Sequence, residues 1–299
     1  MDGARRRRVA VKIAGAGGPC PPDARFVRPG RRARLGRVPL PAPCYILADV
    51  HLGVAPRDTE RALIAFLRSL PGRAGALMID GDLFDFWFEW RTAIPRTGFR
   101  VLAALADVVD AGVPVTWIAG NHDCWGGDVL RQDVGVTYHF GPWIGDLAGW
   151  HARVEHGDGL RGREDRGYRA IRPVLRHPLS KAAFRLLPVD TASRLATGSS
   201  QASRTYRPRD DGLGIRRAGI ARLEAEPQLE LLVLGHSHVA GIERASTGGI
   251  YANPGSWLDA PTYLRVDARE IALCRWDGSA EGDRLDALER RTEESLRHP

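Results

Sequence analysis

Five short apolar segments of this chain each end in residues that commonly bind metal ions. Their aliphatic and β-branched composition predicts buried β-strands. The polar stretches that follow them are Asp49-Val50-His51, Asp80-Gly81-Asp82, Gly120-Asn121-His122-Asp123, His156-Gly157-Asp158 and Gly235-His236-Ser237-His238. Because the carboxyl ends of the strands in an open α/β sheet converge on one crevice, these side chains are expected to meet in the fold.

Strand-like and helix-like segments alternate along the chain. The predicted strands are 44–47, 76–79, 115–119, 153–155, 231–234, 250–252 and 263–266, and the predicted helices are 59–70 and 98–111. The last two strands are close enough in the sequence to pair as antiparallel neighbours. The pattern predicts an α/β fold with a mixed sheet.

Composition and charge divide the chain into a basic beginning and a nearly neutral remainder. The chain has 299 residues, 43% of them hydrophobic, enough for a large core in one domain with an insertion or in two small domains. Residues 1–40 hold eleven Arg or Lys against two Asp, so the rest of the chain carries −2 of the formal charge of +7. This Gly- and Pro-rich segment predicts a disordered basic tail. The tail either contacts anionic membranes or nucleic acid, or is a leader segment without a function.

Two further features bear on location. The chain contains no run of 18 apolar residues, so attachment to a membrane is expected to be peripheral. The four cysteines are far apart and form no Cys-x-x-Cys pair, which argues against a disulfide framework and against a zinc ribbon. A cytoplasmic location is therefore expected.

The residues at the strand ends are oxygen and imidazole donors without a thiolate. Such donors suit divalent ions such as manganese, iron, zinc or cobalt. Each motif alone is weak, because a His-x-His pair is often a surface or core pair and Gly-Asp is often a turn. All five together predict a two-metal hydrolase site.

The order DxH, GD, GNHD, H and GHxH resembles the calcineurin-like metallophosphoesterase superfamily over about residues 44–266. The resemblance implies a four-layer αββα sandwich for residues 44–278, and it implies two divalent ions, manganese being the expected metal. Its ligand pattern assigns one ion to Asp49, His51, Asp82 and His238, and the second to Asp82, Asn121, His156 and His236. The implied reaction is attack of a metal-bridging hydroxide on phosphorus.

Two residues of the GNHD motif have implied catalytic roles. By the same resemblance, His122 faces the phosphoryl group and Asp123 orients the His122 ring. The alternative for His122 is a residue that only caps the loop.

Two stretches narrow the expected substrate. Residues 156–168 (HGDGLRGREDRGY) and 81–87 (GDLFDFW) resemble the UDP-2,3-diacylglucosamine diphosphatases of lipid A synthesis. That resemblance implies hydrolysis of a phosphorylated lipid with release of UMP. The group usually has GNRD where this chain has GNHD, so another nucleotide, phospholipid or phosphodiester remains the alternative substrate.

Other classes of function are disfavoured. A non-catalytic scaffold would need broken ligand positions, and every position is filled here. Nucleic acid is disfavoured because the basic tail lacks interleaved aromatic residues. No obligate protein partner is expected.

An insertion at about 161–211 is expected to form a helical lid. Residues 161–209 hold twelve Arg or Lys against three acidic residues, and apolar side chains alternate with the basic ones, which suits an acyl substrate or the surface of the inner membrane. An ordinary helical pair docked on the sheet is the alternative. The resemblance to the lipid A enzymes places a polar segment that contacts the substrate at Ser200, Ser203 and Arg204, and Asp158 of the HGD motif is expected to hydrogen-bond the substrate or to position a ligand.

Two segments after the last metal motif complete the predictions. Residues 253–257 (NPGSW) form a tight turn, in which Trp257 either walls the pocket or is purely structural. Residues 279–299 are expected to form a polar helix or tail.

Overall fold

The strands form two mixed β-sheets, and the carboxyl ends of their parallel strands point toward one region. The computed structural model describes residues 39–162, 164–195, 198 and 210–291, which belong to one compact unit, 37–299. The predicted basic tail lies outside the described residues except for positions 39 and 40.

The first sheet has the strand order β12-β11-β10-β1-β2-β3-β4, and the second has the order β5-β6-β7-β9-β8. The strands are β1 Cys44–Leu47, β2 Ala76–Asp80, β3 Val115–Ile118, β4 Thr137–His139, β5 Trp143–Leu147, β6 Trp150–Glu155, β7 Leu231–Leu234, β8 Gly241–Arg244, β9 Ile250–Asn253, β10 Thr262–Val266, β11 Glu270–Arg275 and β12 Asp283–Glu289. Strands β1 to β4 are parallel, as are β6, β7 and β9.

The described helices flank the two sheets. They are α1 Arg57–Arg68, α2 Phe99–Asp110, α3 Arg166–Leu175, α4 Pro178–Arg185 and α5 Leu213–Ala225, with a π-helical turn at Val129–Asp133. Residues 189–195 are also helical.

Three apolar clusters define four layers. Ile46 and Met78 pack with Val233 and other residues of the second sheet, so one cluster fills the space between the sheets. The opposite face of the first sheet packs against α1 and α2, and the outer face of the second sheet packs against α5. The predicted αββα sandwich is confirmed.

The central strands read as continuous apolar runs because both of their faces are buried. In β1, Cys44 and Ile46 belong to the cluster between the sheets, whereas Tyr45 and Leu47 belong to the cluster beneath α1 and α2. All four residues are buried. A strand of this kind holds the residue that follows it in a fixed position, which is what a metal ligand requires.

The predicted pairing of the strands at 250–252 and 263–266 is wrong. β9 pairs with β7 and β8 in the second sheet, whereas β10 pairs with β1 and β11 in the first. The segment between them carries the chain from one sheet to the other. The Asn253 amide donates to Gly235 O, and the Ser256 hydroxyl donates to Asp49 O, so this crossing is attached to loops of both sheets.

The prediction of a polar helix or tail at 279–299 is wrong for residues 283–289, which form the edge strand β12. An edge strand needs no apolar face, since its backbone hydrogen bonds to β11 place it. The polar side chains of β12 form ion pairs with β11, such as that between Arg284 and Glu270. Strands β4, β5, β8 and β11 were not predicted either.

The insertion contributes α3 and α4, which contain no buried residue. Phe184 of α4 is half-buried and packs against an aromatic cluster, with ring centroids 4.8 Å from Trp125 and 4.9 Å from Phe88. Leu179 and Leu186 are 72% and 86% exposed. The insertion therefore packs on the sandwich through Phe184, Leu187 and the buried Ala192, and it presents other apolar side chains to solvent. Within the described residues, no helix is both long and apolar enough to cross a bilayer.

Phe66 of α1 provides a test of the outer helix layer. Its ring is fully buried and lies 4.9 Å from Tyr263 and 5.3 Å from Trp257, centroid to centroid. We expect Phe66→Ala to lower the free energy of unfolding by about 3–5 kcal/mol, because it removes a large ring and leaves a cavity. Urea denaturation measures the change. The matched control is Phe99→Ala on α2, where the ring is 64% exposed, and an equal loss in both variants would contradict the assignment of the core.

Candidate metal centre

Three side chains from both sheets form a first group of metal-type donors. Asp49 and His51 follow β1, and His238 follows β7. His51 Nε2 lies 3.1 Å from His238 Nε2, and His238 Nε2 lies 3.2 Å from Asp49 Oδ1. These three atoms could hold one divalent ion between them.

A second group follows β2, β6 and β7. It consists of Asp82, His156 and His236, whose donor atoms all lie within 4.8 Å of one another. Asp82 Oδ2 is 3.1 Å from His156 Nε2 and 3.9 Å from His51 Nε2. The Asp82 carboxylate therefore lies between the two groups, the position expected of a ligand shared by two ions.

Several of these donor atoms are buried without a hydrogen-bond partner among the described residues. They are Asp49 Oδ1, Asp82 Oδ2, Asn121 Oδ1 and His156 Nε2. An unsatisfied buried polar atom costs about 1–3 kcal/mol, and here the lone pairs of several such atoms face one another. The donor set and its burial thus fit divalent cations.

The ring nitrogens that face away from the centre contact acceptors. His156 Nδ1 donates to Asp80 O at 2.8 Å, which leaves Nε2 as a lone-pair donor. His238 Nδ1 lies 3.4 Å from the Asp259 carboxylate, and His51 Nδ1 lies 3.6 Å from Asp85 Oδ1. A carboxylate or carbonyl behind a histidine fixes its tautomer and orientation for metal binding. Sequence reasoning missed Asp85 and Asp259, although Asp85 belongs to the GDLFDFW stretch.

The backbone of the site is strained. Five of the seven non-glycine residues with positive φ in the described part of the chain lie here: Asp49, His51, Asp82, His236 and His238, with φ between 52° and 64°. Each such conformation costs about 1–3 kcal/mol. Strain concentrated on the donor residues indicates that their positions are set by function.

Two glycines let the loops approach one another. Gly81 has φ +79°, and a Cβ there would overlap the His156 ring. A Cβ at Gly120 would overlap the Asp82 carboxylate and its backbone nitrogen. The loops after β2, β3 and β6 therefore pack in direct contact.

The charges of the site stabilise one another. Burial opposes ionisation of Asp82, but His156 and His122 outweigh it and hold the pKa of Asp82 well below its ordinary value. Burial likewise opposes protonation of His51, but the carboxylates around it, Asp49 among them, raise the pKa of His51 to about 9. The site favours ionised carboxylates with positive charge between them, and a divalent ion can supply that charge in place of protons.

His122 lies beside the metal-type donors, but its orienting partner differs from the prediction. Its Nδ1 donates to Asp85 O at 3.0 Å, and its backbone N–H donates to Asp82 Oδ1 at 2.9 Å. The Asp123 carboxylate instead accepts 2.8 Å hydrogen bonds from the N–H groups of Leu83 and Gly120. Asp123 therefore holds the two loops together, and burial raises its pKa to about 7. The expected pairing of Asp123 with the ring is corrected accordingly.

The structure describes one of the four expected substrate-binding residues. Asp158 is buried, and Tyr168 of the insertion donates to its Oδ2 at 2.6 Å. Ser200, Ser203 and Arg204 lie outside the described residues. Trp257 is 1% exposed and packs on Phe66, so the structural alternative for the NPGSW turn holds.

A sequence model of the calcineurin-like phosphoesterase family matches residues 42–240. The chain belongs to this family. A UDP-2,3-diacylglucosamine hydrolase of Porphyromonas gingivalis is 30% identical over 250 residues, which cover 77% of this chain and 95% of that protein. A protein of the same name from Xanthomonas oryzae pv. oryzae is 31% identical over 240 residues, which cover 76% of this chain and 96% of that protein. A solved dimetal phosphatase of Danio rerio aligns with 85% of this chain and all of its own, at 13% identity and a TM-score of 0.42.

The family and these hydrolases establish the reaction class. The protein is a metal-dependent phosphoesterase, and its two donor groups are the candidate binding sites for the divalent ions that the family uses.

Asp82 and His122 of this phosphoesterase are expected to separate metal binding from catalysis. Asp82→Ala removes the carboxylate that lies between the two groups, so we expect it to lose at least one bound ion. His122→Ala leaves both of the groups described above intact, although His122 also lies within reach of His51 and Asp85, so we expect the same metal content as the unaltered protein and at least about 100-fold lower kcat. Elemental analysis after loading with manganese, with hydrolysis of bis-p-nitrophenyl phosphate, measures both effects. Full metal content in Asp82→Ala, or unchanged kcat in His122→Ala, would contradict these roles.

Proposed function

We propose that this phosphoesterase is a two-metal hydrolase that cleaves the pyrophosphate of UDP-2,3-diacylglucosamine and releases UMP. The observation that carries the two-metal reaction is the buried Asp82 carboxylate between two groups of metal-type donors. The substrate is supported by the relatives named UDP-2,3-diacylglucosamine hydrolase, which match this chain over about three quarters of its length.

Each proposed ion has four protein ligands. One ion takes Asp49, His51, Asp82 and His238, and the second takes Asp82, Asn121, His156 and His236. Manganese is the proposed metal, since carboxylate, amide and imidazole donors without thiolate suit it. The unpartnered Asn121 Oδ1 supports the inclusion of Asn121, whose amide is the least obvious of these ligands.

The protein positions the reacting groups through rigid loops. When bound, the two ions would supply an activated water and neutralise charge on the phosphate. His122 donates from Nδ1 to Asp85 O, which fixes the ring, and when the ring is protonated its Nε2 is proposed to donate to the phosphoryl group or the leaving group. Asp123 keeps the loops that carry Asp82 and His122 in register through its hydrogen bonds to two backbone N–H groups.

The insertion is proposed to bring the enzyme to an anionic lipid surface on the cytoplasmic face of the inner membrane. Leu179 and Leu186 are exposed in the same segment as the exposed basic residue Arg185. Apolar side chains that enter the headgroup boundary, together with cations that attract anionic lipid, are the two components of interfacial binding.

A substrate panel tests the proposed reaction. With manganese bound, we expect release of UMP from UDP-2,3-diacylglucosamine at a kcat/KM at least about 100-fold above that for bis-p-nitrophenyl phosphate or UDP-glucose, because binding energy from the acyl chains is available only with the lipid. Chromatography of the nucleotide product measures the rate. The alternative, an enzyme for another phosphodiester or nucleotide, is favoured by the His in GNHD. Rapid hydrolysis of the simple diesters without UMP release from the lipid would establish it.

Vesicle binding tests the proposed membrane contact. We expect Leu179→Ser and Leu186→Ser each to weaken binding to vesicles of phosphatidylglycerol and phosphatidylcholine by about tenfold, since each removes an apolar side chain from the contact. Cosedimentation measures the affinity. Leu285→Ser on the edge strand β12 is the matched control, because Leu285 is an exposed leucine outside the insertion. Equal weakening in the control, or none in the insertion variants, would contradict the contact.

A further inference from the structure

Helix α3 reaches the metal centre through one buried carboxylate. Asp158 is 4% exposed, and its Oδ2 accepts a hydrogen bond from Tyr168 at 2.6 Å. The same oxygen lies 3.2 Å from Arg172 Nε and 3.2 Å from Arg176 Nη2. One oxygen of Asp158, a residue of the loop after β6, thus lies close to three donor groups from α3 and its C-cap.

Arg176, at the end of α3, also contacts the loop after β3 and the residue that follows β4. Its Nη1 donates to Phe140 O at 2.9 Å, and its Nη2 donates to Gly120 O at 3.3 Å as well as to Asp158. Gly120 directly precedes Asn121, and Asp158 lies two residues after His156. A single guanidinium therefore joins the insertion to the two loops that carry two of the proposed ligands of the second ion.

These polar contacts decide where α3 lies. The helix contains no buried residue, so apolar burial contributes little to its docking. Asp158 and Arg176 are far less exposed, at 4% and 17% of their side chains. Removing one partner of such a pair leaves the other desolvated and with fewer partners, so we expect the two residues to act together in docking the helix.

The two terminal nitrogens of the guanidinium are already committed to protein acceptors, and its Nε is buried without a hydrogen-bond partner among the described residues. Three acceptors, Asp158 Oδ2, Gly120 O and Phe140 O, receive its hydrogen bonds. The planar fork of arginine suits acceptors at fixed angles, which the single ammonium of lysine cannot match. This arrangement favours a role in holding the loops over a role in binding substrate phosphate.

We propose that Arg176 is a positioning residue that couples docking of the insertion to the second metal position. With α3 docked, Arg176 and Asp158 hold Asn121 and His156 in the arrangement that ligates the ion. By reciprocity, the bound ion favours the docked insertion by the same factor. The inference rests on the two-metal function proposed above.

The test uses the whole protein, stripped of metal, with manganese alone as the probe. Binding is followed by calorimetry and by electron paramagnetic resonance, in which two neighbouring manganese ions give a coupled signal distinct from that of a single ion. We expect Arg176→Met to weaken the second manganese by about 10- to 100-fold, the usual effect of removing a group behind a metal ligand, with the first unchanged. Arg176→Lys keeps a positive charge near Asp158, so its affinity for the second manganese should lie between those of the unaltered protein and of Arg176→Met. Arg166→Met is the matched control, because Arg166 is an exposed arginine of the same helix.

Saturating manganese separates coupling from general damage. We expect excess manganese to restore hydrolysis of bis-p-nitrophenyl phosphate by Arg176→Met, since the ligands themselves are intact. The Asp158→Ala and Arg176→Met double variant should bind the second manganese about as weakly as either single variant, because the two residues act as a unit.

The outcomes distinguish this inference from the function on which it rests. Unchanged affinity for the second manganese in Arg176→Met, or additive losses in the double variant, would overturn the coupling and leave the two-metal function standing. A loss of hydrolysis that persists at saturating manganese would also overturn it. If the unaltered protein binds fewer than two manganese ions, the proposed function fails and the coupling fails with it.

Discussion

The buried carboxylate of Asp82 is the interaction on which the rest of the structure depends. It has no exposure to solvent, one of its oxygens accepts a hydrogen bond from the His122 backbone, and the other faces His156 and His51 without a hydrogen bond. A carboxylate in that position is costly unless positive charge lies beside it. This requirement explains the histidines around Asp82 and the rigid loops that carry them. It also explains Gly120, where a side chain would overlap the Asp82 carboxylate.

The sandwich supplies the rigidity that this arrangement needs. Strained backbone at five donor residues persists only where the surroundings determine it more strongly than local preference does. Here each strained residue follows a fully buried strand, and the crossing between β9 and β10 ties Gly235 and Asp49 together through Asn253 and Ser256. The insertion is the opposite case, since α3 and α4 bury no residue and are attached mainly through polar contacts to Asp158 and through the ring of Phe184.

The donor residues could be predicted from the sequence because each follows an uninterrupted apolar strand, and strand ends of one sheet edge must meet. The groups that hydrogen-bond to the far side of the histidine rings could not be predicted. Asp80 and Asp85 contribute backbone carbonyls to His156 and His122, and every residue type has a backbone carbonyl. The role of Asp123 was mistaken for the same reason, since its partners are backbone N–H groups. The edge strand β12 reads as polar because it is exposed, and the sheet change after β9 depends on contacts distant in sequence.

Each of the two donor groups contains residues from both sheets. Asp49, His51 and Asp82 follow strands of the first sheet, whereas His156, His236 and His238 follow strands of the second. An ion held by either group is therefore a cross-link between the two halves of the sandwich, on the edge where apolar packing gives way to polar loops. Folding of the sandwich and capture of metal then share one equilibrium, and the free concentration of metal in the cell becomes a determinant of how tightly the two sheets are held together.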